Sequence, residues 1–226
     1  MMLSLERTDL ANYILNQLNF FFPDKDSPQM AINQSIDETI DRLNFCFKYV
    51  VNKRYFNGKD TYYNHLYSDH HLVFIWLLAN TIWKNTSNKT TASKLYYLNK
   101  ALHGFDCMYD TDLPNVFLIF HGVGTMLGKA KYGDFFVALH GCTVGSHGGY
   151  YPTLGVGTSL TANTSVIGNC NIGNRVNIGT RAFVFNKDVA SDSTLFIDKE
   201  TNSVKIKEST ACYAQQFFNV DLSSLT

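Results

Sequence analysis

Histidine is the side chain of this sequence best suited to acid–base chemistry near neutral pH, because neutral imidazole can take a proton from a hydroxyl group. His121 stands apart from the other histidines, since glycines at positions 122 and 124 leave its side chain open to a cleft. The histidines with an expected structural role lie in a segment with a helical pattern: His65, His70, His71 and His103.

The cysteines indicate a reducing compartment. There are five of them, an odd number, and they form no CxxC pair: Cys46, Cys107, Cys142, Cys170 and Cys212. Such a set favours free thiols over a disulfide framework or a zinc site. We therefore expect a cytoplasmic protein with no bound metal.

Charge and hydropathy exclude two classes of partner. Lys plus Arg and Asp plus Glu number 19 each, so no overall positive field attracts nucleic acid. The longest strongly apolar run, Leu72 to Ala79, is far shorter than the roughly 20 residues of a membrane-spanning helix. We expect neither nucleic-acid binding nor a membrane span.

The first part of the chain, residues 1–104, is predicted to be an α-helical domain. It contains a single glycine, Gly58, before Gly104. A capping box at Ser35 and Glu38 predicts a helix start at Ser35. Further helices are predicted over 6–20, 66–83 and 93–103, the last ended by Gly104.

A six-residue repeat follows in the second part of the chain. Aliphatic residues recur at a constant spacing of six: Leu154, Leu160, Val166, Ile172, Ile178 and Val184. Four places after each stands a residue that is small in five of the six cases: Thr158, Thr164, Cys170, Val176, Ala182 and Asp188. This pattern is typical of a three-sided parallel β-solenoid whose aliphatic side chains fill the interior.

The turns of the solenoid are also visible in the sequence. Residues that can supply a positive φ at its corners are Gly155, Asn163, Gly168, Gly173 and Gly179. From Val144 to Leu154 the spacing is ten, four more than one repeat, so residues 146–153 are predicted to form a loop outside the solenoid. Loops that leave a rigid scaffold often carry function.

At this point the sequence resembles the left-handed β-helix hexapeptide acyltransferases, within them the serine O-acetyltransferase type. The motifs that carry the resemblance occur in the family's order: Phe105-Asp106, His121-Gly-Val-Gly124, Leu127-Gly128, Cys142-Thr-Val-Gly145, Pro152-Thr-Leu-Gly155, Ile172-Gly173 and Ile178-Gly179. It implies a left-handed parallel β-helix over residues 105–190 after the helical domain. Residues 191–226 form a C-terminal extension, with a predicted strand pair and tail, where the family has a glycine-proline-rich turn.

The resemblance implies an acetyl-CoA-dependent O-acetyltransferase with active sites between the subunits of a homotrimer, with a hexamer of two paired trimers as the alternative assembly. It makes His121 the general base and Asp106, fifteen residues earlier, the residue that orients it. His140 lies nineteen residues after His121, about one coil of the solenoid, and could stack beside it. His147, in the predicted loop, is a candidate for contact with the acceptor.

The resemblance implies contacts to acetyl-CoA at seven positions. The two basic side chains among them, Arg181 and Lys187, could bind its phosphate groups. The seven positions are Gly145, Ser146, Thr161, Ala162, Thr180, Arg181 and Lys187.

The acceptor is predicted from departures from the family. Where serine acetyltransferases hold polar anchors for the amino acid, this chain has Phe120, Tyr150 and Tyr151. We expect these three side chains, together with His140 and His147, to contact the acceptor. Because a buried ammonium or carboxylate without a partner is costly, we expect a sugar or sugar-nucleotide hydroxyl as acceptor. Serine O-acetyltransferase activity is the alternative.

Two other functions fit the solenoid. A metal hydrolyase would need three imidazoles converging on zinc, and His121, His140 and His147 are the candidates. A non-catalytic trimeric scaffold would keep the repeat but has no use for a glycine-flanked histidine beside an open groove.

Overall fold

The computed structural model describes residues 1–209 and 211–225. Four helices form the first part of the chain: α1 (Arg7–Phe21), α2 (Gln29–Phe47), α3 (Ser68–Thr86) and α4 (Lys89–His103). Two short parallel strands, β1 (Met2–Leu3) and β2 (Tyr62–Tyr63), join the amino terminus to the segment before α3. The predicted helical domain is confirmed.

Two predicted helix starts are wrong, since α4 begins at Lys89 and not at residue 93, and α2 begins before Ser35. Helix α2 begins at Gln29, directly after Pro28, and Ser35 lies inside it as a buried residue whose carbonyl accepts the Thr39 hydroxyl at 2.7 Å. The apolar face reaches further back than the capping box suggested, because Ala31 and Ile32 are buried as well. The end of α4 agrees with the prediction, since Gly104 has a left-handed φ of 62°.

The second part of the chain is a three-sided parallel β-solenoid, as predicted. Side I consists of β4 (Met126–Leu127), β7 (Thr143–Gly145), β10 (Ser165–Ile167) and β13 (Phe183–Phe185). Side II consists of β5 (Lys131–Tyr132), β8 (Thr153–Leu154) and β11 (Asn171–Ile172). Side III consists of β3 (Phe117–Ile119), β6 (Phe136–Ala138), β9 (Ser159–Leu160), β12 (Asn177–Ile178) and β14 (Ser193–Ile197).

The six-residue repeat fills the interior of the solenoid. All six aliphatic repeat residues are buried, with exposures of 0% to 3%, and they stack in register, for example Leu160 with Ile178 and Val166 with Val184. The residues four places later are buried too, except Asp188, which is exposed and leaves Val189 to fill the interior. Burying such a side chain contributes about 1.5–3 kcal/mol, so the repeat stabilises the coils from residue 154 onward.

The extra residues of the predicted loop lengthen the spacing between paired residues of neighbouring coils. Val144 pairs with Val166, 22 residues later, whereas Val166 pairs with Val184, 18 residues later. The four additional residues lie between β7 and β8, where His147 and Tyr150 pair through their backbones at 3.0 and 3.1 Å. The loop outside the solenoid is therefore confirmed.

The C-terminal extension returns to the helical domain. Strand β14 continues side III beyond residue 190 and pairs antiparallel with β15 (Val204–Glu208). After the 3₁₀ helix Tyr213–Phe217, Phe218 is 2% exposed and forms an antiparallel bridge with Val50. A second 3₁₀ helix, Leu222–Ser224, follows. The tail thus ties the end of the chain to the end of α2.

The predicted corner residues divide into two kinds. Asn163 and Gly168 have the expected positive φ values of 60° and 85°, but Gly155, Gly173 and Gly179 do not. At Gly155 the constraint is space, because a Cβ atom there would lie 2.6 Å from the Gly173 carbonyl carbon and 2.7 Å from the Asn174 nitrogen of the next coil. Glycine is required there by close stacking of backbones.

We expect Gly155→Ala to destabilise the protein by about 1–3 kcal/mol, because the added methyl group meets backbone that cannot move independently. Gly145→Ala is the matched control, since its Cβ would meet only Ile167 Cγ1, at 4.0 Å. The control should change the free energy of unfolding by less than about 0.5 kcal/mol. Urea unfolding followed by circular dichroism measures both, and equal stabilities of the two variants would contradict the stacking argument.

Candidate functional site

The candidate site is a cleft where the helical domain meets the solenoid. Its volume is about 370 Å³. Its lining comes from the start of α3, the end of α4 and the turn after β3: Ser68, Asp69, Leu72, Leu102, His103, Gly104, His121, Gly122 and Val123. A larger cleft of about 690 Å³ near β1 and β2 lacks an exposed imidazole beside a carboxylate. We therefore assign the chemistry to the smaller cleft.

His121 provides the exposed imidazole of this cleft. Its side chain is 64% exposed, and its backbone has a left-handed φ of 56°. The ring of Phe120 packs at 4.3 Å from the imidazole ring and also approaches Phe217, at 6.3 Å. Phe120, predicted to contact the acceptor, is therefore partly occupied in packing beside His121.

A buried carboxylate lies next to His121. The side chain of Asp69, in the first turn of α3, is 5% exposed, and its Oδ1 accepts the backbone N–H of His121 at 3.1 Å. Its Oδ2 lies 3.7 Å from Nδ1 of the imidazole. Burial raises the pKa of Asp69 above its usual value, while the N–H groups of His121 and Gly122 and the nearby imidazole oppose that rise.

Asp106, the predicted partner of His121, makes its side-chain contacts elsewhere. Its carboxylate accepts the Tyr96 hydroxyl at 2.8 Å and the Lys100 ammonium at 2.6 Å, both from α4. Within residues 1–209 and 211–225, the carboxylate found within 4 Å of a His121 ring nitrogen is that of Asp69. The role of Asp106 stays a prediction.

Two residues of this cleft were not expected from the sequence. Asp69 lies in the first turn of the helix predicted over 66–83, where an acidic residue could be expected only to stabilise the helix start. His103 was expected to be structural, yet it lines the cleft beside His121. Burial lowers the pKa of His103 to about 4, so this imidazole is neutral at physiological pH. No spacing signal in the sequence links either residue to His121.

His140 lies one coil from His121, as predicted. Ile119 pairs with Ala138, which places the two histidines at equivalent positions two residues after these partners. His140 is exposed, and its carbonyl accepts the Asn163 N–H at 3.0 Å. The Ala162 carbonyl accepts the Arg181 N–H at 3.0 Å. We call this line of stacked corners, made of His121, His140, Ala162 and Arg181, the histidine edge.

The predicted acetyl-CoA contacts fall on both edges of side I. Thr161, Ala162, Thr180 and Arg181 lie on or beside the histidine edge, where the Thr161 and Thr180 hydroxyls are 3.3 Å apart. Gly145, Ser146 and Lys187 lie at the opposite edge, with the loop. Within one chain, these two groups of predicted acetyl-CoA contacts are therefore separated by the width of side I.

The loop residues predicted to meet the acceptor also lie at that opposite edge. Tyr150 and Tyr151 are 61% and 53% exposed. The His147 ring packs against Phe185 of β13, with ring centroids 4.8 Å apart.

Among the described residues, no three His, Cys, Asp or Glu side chains are grouped so that they could hold a metal ion. No helix in the described ranges is long and apolar enough to cross a membrane.

We expect His121→Asn to fold with nearly wild-type stability and His121→Val to lose about 1–3 kcal/mol. Asparagine tolerates the left-handed φ of 56°, whereas a β-branched residue is strained there. His140→Val is the control, because His140 is exposed and has no positive φ. Thermal unfolding compares the three, and equal destabilisation by both valines would contradict a strained corner at residue 121.

Acid should destabilise the protein through its buried histidines. Burial lowers the pKa of His70 and His103 to about 4 and that of His71 to about 3, against 6.5 for an exposed histidine. The unfolded chain then binds more protons below pH 6.5, so the stability present above pH 6.5 is lost as pH falls towards 4. Urea unfolding at pH 7, 6 and 5 should show this fall.

The decrease in the free energy of unfolding between pH 7 and pH 5 should be smaller in His103→Gln than in the wild type. His140→Gln, at an exposed histidine, should leave this decrease unchanged. If stability is constant between pH 7 and pH 5, these imidazoles are not held neutral by burial.

The fold is that of solved serine acetyltransferases. The enzyme from Neisseria gonorrhoeae matches with a TM-score of 0.69 and 20% identity, over 92% of this chain and 80% of that one. The enzyme from Brucella abortus strain S19 matches with a TM-score of 0.69 and 19% identity, over 91% and 85%.

A third match has a bound ligand. Entamoeba histolytica serine acetyltransferase isoform 3, in complex with cysteine, has a TM-score of 0.59 and 19% identity, over 85% of this chain and 71% of that chain. No protein-family model matches the sequence, and no curated protein matches it. These similarities confirm the predicted fold class: this chain has an α-helical domain followed by a left-handed parallel β-helix, as the solved serine acetyltransferases do.

Proposed function

We propose that this protein is an acetyl-CoA-dependent O-acetyltransferase in which His121 is the general base. The observation that carries the proposal is the exposed imidazole of His121 beside the buried carboxylate of Asp69, at a cleft in the fold that serine acetyltransferases share. An alcohol attacks a thioester poorly until its proton is removed, and a neutral imidazole is suited to remove it.

The proposed reaction has two proton transfers. His121 takes the proton of the acceptor hydroxyl as its oxygen forms a bond to the acetyl carbonyl carbon. The tetrahedral intermediate then breaks its carbon–sulfur bond, and the imidazolium returns the proton to the departing sulfur of CoA. A positioned base of this kind typically contributes about 10²- to 10⁴-fold in rate.

Acetyl-CoA is proposed to bind along side I. Thr161 and Ala162 are small residues on the same edge as His121, which suits the close approach of a narrow pantetheine arm. Arg181, exposed at that edge, and Lys187, exposed at the opposite edge, are cations suited to phosphate groups. Because the two sets lie on opposite edges, we propose that neighbouring subunits of a homotrimer complete each site, with a hexamer as the possible larger assembly.

Serine is the first acceptor to test, which reverses the order expected from the sequence. The solved neighbours are serine acetyltransferases, and the Neisseria gonorrhoeae enzyme has also been solved in complex with serine. The cleft beside His121 offers polar side chains, Ser68 and His103, to a small polar acceptor.

A sugar or sugar-nucleotide hydroxyl is the second candidate acceptor. It is favoured by the exposed Tyr150 and Tyr151, whose rings suit the apolar face of a sugar. A cytoplasmic location, which both substrates would suit, remains a prediction.

We expect purified protein to release CoA thiol from acetyl-CoA when serine is added, and His121→Asn to lower kcat by about 10²- to 10⁴-fold. A thiol-reactive dye measures the release, with UDP-sugars as a second set of acceptors. Asp134→Asn is the control, since Asp134 lies outside the cleft lining and its side chain accepts the Val116 N–H in the solenoid.

If no acceptor raises thiol release above that of His121→Asn, the proposal is wrong. Calorimetry that detects no acetyl-CoA binding would then favour a non-catalytic scaffold.

A further inference from the structure

Helix α3 brings its first turn directly onto the corner that carries His121. Gly122 allows this approach, because a Cβ atom there would lie 2.6 Å from Cδ1 of Leu72 on α3. The carboxylate of Asp69 is thereby held against the His121 backbone, with a bond of 3.1 Å from the N–H to Oδ1. The second oxygen, Oδ2, is left facing the imidazole at 3.7 Å from Nδ1.

We propose that Asp69 is the positioning residue of His121, so that the helical domain and not the solenoid supplies the carboxylate of the acid–base pair. This inference rests on the proposed function. Asp69 accepts the Nδ1 proton of His121, which leaves Nε2 as the free acceptor for the hydroxyl proton.

The contacts of Asp106 favour this assignment. Both of its carboxylate oxygens have partners on α4, the Tyr96 hydroxyl on Oδ1 and the Lys100 ammonium on Oδ2. Moving Asp106 to the imidazole would break a hydrogen bond and an ion pair. Asp69 needs no such exchange, because its Oδ1 keeps the backbone bond while Oδ2 already faces the ring.

The distance from Oδ2 to Nδ1 is longer than a hydrogen bond, but the geometry allows closure. The His121 side chain is 64% exposed, so its ring can rotate, whereas Asp69 is fixed by burial and by its backbone bond. Catalytic hydrogen bonds are commonly long before substrate binds and shorten in the complex. A bound acceptor on the other side of the ring would push Nδ1 towards Asp69.

Direct binding of the acceptor by Asp69 is a different role, and its burial argues against it. The side chain is 5% exposed, and one oxygen is engaged by the backbone. A carboxylate that held the ammonium group of serine would need an oxygen open to the cleft. The two roles also predict different kinetics, since a binding residue affects KM and a positioning residue affects kcat.

The test compares the pH dependence of acetyl-CoA:serine turnover in the wild type, Asp69→Asn, Asp106→Asn and Asp134→Asn, with UDP-sugar as acceptor if serine is inactive. Asparagine at position 69 keeps the oxygen that accepts the His121 N–H, so the fold should survive, and urea unfolding checks this. Asp134 is the matched control, because it too accepts a backbone N–H in the solenoid, from Val116 at 3.1 Å.

We expect Asp69→Asn to lower kcat at least about tenfold, to move the acid side of the pH–rate profile to lower pH and to leave KM for the acceptor within about threefold. The shift arises because the carboxylate that favours the protonated imidazole is gone. Asp69→Glu should restore part of the rate, and Asp134→Asn should match the wild type.

The proposal is overturned if Asp106→Asn moves the acid side of the profile and Asp69→Asn does not. It is also overturned if Asp69→Asn raises KM alone. Failure of the proposed function is a separate result, because then His121→Asn would keep wild-type turnover whatever the behaviour of the aspartate variants.

Discussion

Parallel stacking of short strands is the constraint on which the rest of this structure depends. Each coil places one aliphatic side chain per side in the interior, and the same position in the next coil stacks on it, as Val144, Val166 and Val184 do on side I. Because all strands of the solenoid before β14 have only two or three residues, no single one of them could be stable alone. Stability comes from the register between coils, which fixes the position of every corner.

Because the corners are fixed, the solenoid holds the residues at its corners in constant relative positions. His121 and His140 follow equivalent strand residues, and Ala162 and Arg181 continue the same edge through backbone hydrogen bonds. The proposed base and the proposed acetyl-CoA contacts on its edge are thus aligned by backbone geometry without a dedicated network of side chains. The left-handed φ of His121 belongs to this arrangement, since the corner turns sharply while the imidazole points outward.

The helical domain and the C-terminal extension contribute residues to the surroundings of His121. Helix α3 places a buried carboxylate against the first corner, and α4 ends at the same cleft with His103. The C-terminal extension crosses back to α2 and brings Phe217 near Phe120, the neighbour of His121. Three distant segments of the chain therefore determine the surroundings of one imidazole.

The sequence by itself determined the solenoid, its interior residues, the loop between β7 and β8 and the exposed histidine at a corner. These features follow from local periodicity, because a fixed repeat leaves one way to bury its aliphatic residues. Helix ends with strong signals, such as Gly104, were predictable for the same local reason, whereas the start of α2 was not, because its apolar face extends upstream of Ser35.

Only the tertiary structure decided which carboxylate faces His121 and which glycines are required by space rather than by φ. Asp69 is 52 residues from His121 in the chain, and Gly155 meets the backbone of the next coil. Such contacts depend on how packed elements approach each other, which leaves no periodic pattern in the sequence to reveal them.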